Sequence, residues 1–438
     1  MFWLQLLILL VLILIGARLK GVGLGFMGAL GTLIYVYVFN LPLGKAPIDV
    51  MLIILCVISA AASLQAAGGL AYLVSLAEKI IRKNPASITF IAPLVTFTFT
   101  LLAGTAHICY SLLPIIAEVA AKKRIRPERP LSIAVVAANF GITASPITAA
   151  TIAMYSEISL VPGNQLGIVQ IVSIVLPASI VGIFAGSIVA SFIGVNLDKD
   201  PIFLSKMKDP AFKANTDGEP TNQSKQTHTW QAKLSVFLFL SGVFAVILFG
   251  INPQWRRTSM VESIQLIMLS VVLLNVAFVK IKATDIASCS IFKTGTEAIV
   301  SIFGVVWMSN TFINAHTQFL TDSLQPIVGA YPWLFALAVF IMAALLFSQT
   351  ATVKAIMPLG LQLGILPVNL IAMFPAVNGD FVIPSYPTLV AAINFDKTGT
   401  TKVGKFLINH SFILPGITLT FVSMIVAYFI GNYFYATP

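Results

Sequence analysis

Apolar residues in this chain come in long runs, and charges are confined to the gaps between them. No Asp, Glu, Lys or Arg falls between Gly21 and Gly44, Val50 and Ala77, Asn84 and Ala117, Pro130 and Ser156, Ile158 and Leu197, Ala298 and Thr321, Ser323 and Val353, or Phe406 and Pro438. Several of these runs exceed the ~20 residues that carry a helix across the hydrocarbon core of a bilayer. The pattern predicts an all-α polytopic membrane protein. Spans are expected near Phe2–Ala17, Val22–Asn40 and Asp49–Leu64. The less apolar stretch that follows, Gln65–Lys83, ends in basic residues and reads as an amphipathic helix lying in the interface.

Asn84 to Ala117 is too long for one crossing, since as a single helix it would extend about 50 Å. Basic residues flank both ends: Arg82 and Lys83 before, and Lys122, Lys123, Arg124, Arg126 and Arg129 after. Both ends therefore belong on the cytoplasmic side. The segment 84–121 is expected to be a hairpin turning at Gly104-Thr105-Ala106-His107, re-entrant with its tip near mid-membrane in preference to two complete crossings. A span over 131–158 comes next, interrupted by Gly141-Ile142-Thr143-Ala144-Ser145-Pro146. Such a break is tolerated at membrane depth only where the freed backbone is buried in protein or lines a cavity. A return span near Gln165–Ile193 closes a first half, 1–195. The lysine-rich segment 196–233 reads as a cytoplasmic linker.

The remainder, 234–438, repeats the plan. Spans near Leu234–Ile251, Glu262–Val279 and Ile286–Phe303 precede a mixed stretch, Ser309–Gln325, that resembles the earlier interfacial helix. A hairpin over 331–366 is broken by Ser348-Gln349-Thr350-Ala351-Thr352, and aligning Pro358 with Pro114 superposes the two polar tips without a gap. No basic residue flanks this hairpin, as expected on an extracytoplasmic side. A second broken span, 367–395, carries Asn378-Gly379-Asp380 and Pro384-Ser385-Tyr386-Pro387, and a shift of 238 places Gly141 on Gly379 and Pro146 on Pro384. Two halves entering from opposite sides make an inverted-topology repeat, the layout of secondary transporters, here of elevator type. Both termini are then expected outside the cytoplasm.

Composition narrows the function classes. Of 438 residues, 58% are hydrophobic and 10% charged, with mean hydropathy +0.95, which excludes a soluble enzyme, a disordered chain or a secreted disulfide scaffold. The net charge of +10 sits in short loops and reports topology; no nucleic-acid partner is implied. The apolar start lacks a basic leader, and Arg18 and Lys20 follow it, as in a first span and unlike a cleaved signal. Cys56, Cys109 and Cys289 lie in apolar surroundings without CxxC spacing, so no metal site is expected.

The tips and breaks supply hydroxyls, amides and helix N-termini, which suit carboxylates. Candidate substrate ligands are Thr105, His107, Ser145 and Thr148 in the first half, and Gln349, Thr350, Thr352, Asn378, Ser385 and Thr388 in the second. Lys354, a cation deep in an apolar half, is a candidate counter-charge for an anion. Asp380, a carboxylate beside unwound backbone, is a candidate for coupling to Na⁺ or H⁺, with no other cofactor expected.

Gly16-Ala17-Arg18-Leu19, Gln65-Ala66-Ala67-Gly68-Gly69-Leu70, Thr143-Ala144-Ser145-Pro146-Ile147, Ile383-Pro384-Ser385-Tyr386-Pro387-Thr388 and Thr398-Gly399-Thr400-Thr401 resemble the bacterial anaerobic C4-dicarboxylate (Dcu-type) transporters. The resemblance covers nearly the whole chain except the linker, and 375–396 looks closest to the fumarate–succinate exchange branch. It implies exchange of fumarate, malate or aspartate against succinate across a bacterial inner membrane. In that branch the matching Lys354, Asn394 and Asp396 are also implicated in signalling to a membrane sensor kinase. A homodimer follows from analogy with elevator transporters. The competing functions are a cation–proton antiporter and a membrane signalling protein without transport. An intramembrane enzyme would need a paired nucleophile and base or a metal cluster, and His107, His316 and His410 have no ligand at such spacing.

Overall fold

The computed structural model describes all residues except 20–21, 211, 214–228, 384–385, 405–408 and 436–438. Apolar sequence without strand alternation folds as helices, because inside a bilayer every backbone polar group must be satisfied within its own segment. The first half opens with α1 (Phe2–Leu19), α2 (Gly23–Tyr37) and α3 (Ile48–Ala66). Gly68, in the left-handed region at φ 78°, then starts α4 (Gly69–Lys83), which is bent 73° away from α3. Leu73, Ala77 and Ile81 form the buried stripe of α4, one helical turn apart, and its last turn is basic. Arg82 ties that turn to Glu118 at 3.0 Å, and Lys122 reaches the same carboxylate at 2.9 Å.

The hairpin consists of α5 (Ile88–Ala103) and α6 (His107–Lys122), 16 residues each, or about 24 Å of helix. Its reversal rests on Gly104, at φ 68°, a conformation that glycine enters without a Cβ penalty. The broken span comprises α7 (Glu128–Thr143) and α8 (Ala149–Ile158), and α9 (Ile168–Ser191) ends the half. In the linker the described residues show a 3₁₀ turn at Leu197–Lys199 and a short α10 (Pro201–Lys206), and the next helix already begins at Trp230.

The second half contains α11 (Trp230–Ile251), α12 (Met260–Leu274) with a π-turn to Val279, a short α13 (Ala283–Ser288), α14 (Ser290–Ala315) and α15 (Thr317–Ala330). Its hairpin is α16 (Trp333–Leu346) and α17 (Gln349–Gln362), and its broken span is α18 (Pro367–Met373), a 3₁₀ segment Phe374–Phe381 and α19 (Pro387–Phe395). The final helix is α20 (Ile413–Tyr435). Among the described residues, six helices are long and apolar enough to cross a membrane, and α3 with α4 passes the same test as one bent pair.

Two boundaries differ from the sequence expectation. The third span of this half does not stop near Phe303 but runs to Ala315, because the connection before α3 supplies partners for its polar residues. Trp307 Nε1 donates to Gly44 O at 2.8 Å, Thr311 Oγ1 accepts from Gly44 N, and Asn310 Nδ2 donates to Lys45 O. The second tip is also tighter than expected. Phe347 turns the chain at φ 51°, so Gln349–Thr352 form the first turn of α17 instead of a loop, capped by Ser348.

Helix α9 lies along α20, α2 along α14, and α3 touches both α12 and α14. Gly25 and Gly28 of α2 meet Gly304 of α14 backbone to backbone, with no room for a methyl group on any of the three. The second arm of each hairpin crosses to the other half: α6 packs on α19, and α17 packs on α8.

Candidate functional site

Hairpin arms and broken spans interlock through small residues. A methyl group on Gly141 of α7 would lie 2.7 Å from Phe97 O of α5, and one on Gly379 would lie 2.6 Å from Phe340 O of α16. Thr96 Oγ1 adds a 2.8 Å bond to Ala134 O across the first contact. The two breaks are thereby held against the two tips.

At the first tip, Gly104 and Thr105 face Ile147 and Ala149 of the break, and Ile54, Val57, Ile58 and Ala61 of α3 and Ile291, Thr294 and Gly295 of α14 lie opposite. Together they line an open cavity of about 200 Å³. Of the residues expected here, Thr105 lines the space directly. His107 begins α6, and its side chain lies outside the described residues. Ser145 and Thr148 point elsewhere. Ser145 Oγ donates to Leu101 O at 2.8 Å, and Thr148 caps α8 by accepting from Thr151 N while donating to Ile142 O at 2.6 Å. Both hydroxyls hold the break in shape.

Where α7 crosses the 3₁₀ segment, three amides and one carboxylate meet in the core. Asn139 Nδ2 donates to Asp380 Oδ1 and Oδ2 at 3.1 Å each, and Gln349 Nε2 donates to Oδ2 at 3.0 Å. Asn378 Nδ2 donates to Thr143 Oγ1 at 3.1 Å. Asp380, Asn139 and Asn378 are each 0% exposed. Beside this cluster, the ring of Tyr386 stacks on Phe347 at the second tip. Sequence reasoning singled out Asp380, Asn378 and Gln349 but missed Asn139. Its signal was a lone Asn inside an apolar run, one turn before Thr143 on the same face.

Lys354 differs from expectation. It is not a solitary cation awaiting an anion: its ammonium donates to Ser156 Oγ and Glu157 Oε1 at the end of α8. Lysine and glutamate are 4% and 8% exposed, so this is a buried, neutral pair bridging the halves. Thr350 and Thr352 are buried in the first turn of α17, and Thr352 Oγ1 donates to Ser348 O at 2.8 Å. Thr388 is buried, its Oγ1 without a partner among the described residues. Ser385 lies outside the described residues.

Beyond α19, Asp396 is buried and engaged by its own turn. Its carboxylate accepts from Thr398 and Thr401 N and from the hydroxyls of Thr398 and Thr400. Asn394 beside it is exposed. The same turn reaches Glu128 at the start of α7, whose backbone N donates to Thr400 Oγ1 and whose carboxylate accepts from Ser411 and Arg126. His410, in the connection before α20, donates Nε2–H to Val382 O at 3.0 Å and accepts at Nδ1 from Phe412 N. Those two bonds fix the neutral tautomer, and burial pushes the ring below the ordinary histidine value.

Comparison with known proteins places the chain. A family model described as anaerobic C4-dicarboxylate membrane transporter matches residues 1–435. The C4-dicarboxylate transporter DcuA of Escherichia coli strain K12 is 39% identical over 440 residues, covering 98% of this chain and 99% of the relative. The anaerobic C4-dicarboxylate transporter DcuB of Escherichia coli O6:H1 is 37% identical over 433 residues, covering 97% of each. Among solved structures, the Alcanivorax borkumensis YdaH transporter aligns with TM-score 0.59 at 16% identity, over 100% of this chain and 98% of that one. Neisseria gonorrhoeae MtrF aligns with TM-score 0.54 at 13% identity, over 92% and 84%. These two likenesses concern the fold alone.

Proposed function

Because the chain belongs to the anaerobic C4-dicarboxylate membrane transporter family, we propose that it is a secondary transporter exchanging C4-dicarboxylates across a bacterial inner membrane. Fumarate, malate or aspartate enters against succinate. The observation that carries the reading is the full-length match to transporters of that substrate class. It is a transporter and no enzyme.

In this reading 1–195 and 234–438 are inverted repeats joined by the cytoplasmic linker 196–233, and both termini are periplasmic. The reciprocal crossing of α6 onto α19 and α17 onto α8, and the matched contacts of Gly141 and Gly379, support a two-fold relation between the halves. Hairpins 84–121 and 331–366 and broken spans 131–158 and 367–395 move together as the elevator, against α2, α3, α12 and α14. The dianion lies at the tips, one carboxylate on each half, with Thr105 and the α6 N-terminus on one side and Thr350 and Thr388 on the other. The cavity of about 200 Å³ at the first tip, which Thr105 lines, is the space on that side. Ser145, Thr148, Gln349 and Thr352 shape the backbone that presents the donors. Lys354, neutralised by Glu157, positions α17 against α8. Asp380 is the coupling carboxylate. A homodimer and contact of the exposed Asn394 face with a membrane sensor kinase complete the proposal.

The test is ligand stabilisation of the purified protein. Fumarate and succinate should raise the unfolding temperature at concentrations about ten- to a hundredfold below those at which butyrate does. A monocarboxylate leaves half of the donors unpaired, at a cost of about 1.5–3 kcal/mol. Equal action of butyrate and succinate would defeat the two-carboxylate site.

A further inference from the structure

Asp380 has no lysine, arginine or histidine within ion-pairing distance among the described residues. The side chains that bond it are the neutral amides of Asn139 and Gln349. A buried carboxylate so placed is stable only when its charge is removed, by a proton or by a cation. The same cluster holds the opposite defect. Asn139 Oδ1 and Asn378 Oδ1, on fully buried side chains, lack a hydrogen-bond donor among the described residues. Asn139 bonds the carboxylate directly, and Asn378 bonds Thr143, one turn along α7 from Asn139, and lies two residues before Asp380, so both unsatisfied oxygens sit beside it where the two elements cross. Asn378 Nδ2 also meets Pro375 O, a carbonyl of the same 3₁₀ segment.

A surplus of oxygen acceptors around one negative charge is the donor set of a hard cation. One carboxylate balances one positive charge, which favours a monovalent ion over a divalent one. Every member is buried, which favours a small ion. We propose that Asp380, Asn139 and Asn378 bind Na⁺ where the two broken spans cross. Without the ion, the Asn139 and Gln349 amides present N–H groups to the carboxylate. With it, the terminal amide torsions, which are broad, turn oxygen toward the cation. Because the ligands come from α7 and from the 3₁₀ segment, the ion ties the halves of the moving bundle together. This deepens the coupling role given to Asp380 above and rests on the transporter reading for its purpose.

The experiment is thermal unfolding of the purified full-length protein in NaCl, KCl or choline chloride at equal ionic strength and fixed pH, with and without fumarate. Na⁺ should raise the unfolding temperature saturably by several degrees, and K⁺ and choline should not. Asn139→Ala and Asp380→Asn should lose the Na⁺ increment. If either variant does not fold, wild type alone still decides, because an unfolding temperature indifferent to Na⁺ overturns the site. A temperature that follows pH but not Na⁺ overturns it in favour of a proton carrier. Stabilisation by fumarate without Na⁺ specificity would defeat the sodium site and leave the transporter reading standing. Stabilisation by Na⁺ with no response to dicarboxylates would do the reverse.

Discussion

At the scale of single residues, the sharpest revision concerns Lys354. A cation in an apolar run invites an anionic ligand, yet Glu157 supplies the anion from 197 positions away in the chain. Removing one member of such a pair leaves an uncompensated charge at a cost of about 3–5 kcal/mol, whereas removing both leaves none. Lys354→Met and Glu157→Gln should therefore each destabilise the protein strongly, and the double variant should recover much of the loss. Chemical unfolding of the four proteins in detergent checks this. A Lys354→Met protein of normal stability but weakened fumarate binding would instead return the lysine to the substrate. The same contrast shows where single positions mislead. Ser145 and Thr148 carry hydroxyls at a break, but helix α8 needs a cap and Leu101 O needs a donor, and those local demands claim them.

At the scale of elements, tight contacts at Gly141 and Gly379 hold each first hairpin arm against a broken span. A methyl group at either position forces backbone apart, so Gly141→Ala and Gly379→Ala should each cost about 1–3 kcal/mol. Gly329→Ala, with nothing within 4 Å, should cost nothing. Unfolding temperatures of the three variants decide; a neutral Gly141→Ala would mean that the arms do not touch there. Both hairpin turns were legible in the chain, since Gly104 and the polar run from Ser348 interrupt long apolar stretches that are too long for one crossing. The end of α14 was not legible, because Trp307, Asn310 and Thr311 find their partners in residues 44–45, far away in sequence. Local patterning shows where a helix can stop, and tertiary partners determine whether it does. The Asn139–Asp380 meeting was hidden for the same reason: it joins elements from two halves.

At the scale of the whole molecule, the two halves are read as entering the membrane from opposite faces. Cysteines introduced at Lys83 and Lys122, the ends of the first hairpin, should then react only from the cytoplasm. Cysteines at Tyr331 and Leu366, the ends of the second, should react only from outside. Impermeant thiol labelling of intact cells and of inverted vesicles gives the answer, and labelling of both hairpins from one face would remove the inverted repeat. In the exchange proposed above, that architecture would let one site face either side in turn, carrying one dicarboxylate out and another in. The most direct test follows labelled fumarate into proteoliposomes of the purified protein, loaded either with succinate or with buffer alone. Exchange predicts rapid uptake into succinate-loaded vesicles and little into empty ones, whereas equal uptake into both, or none into either, would contradict it.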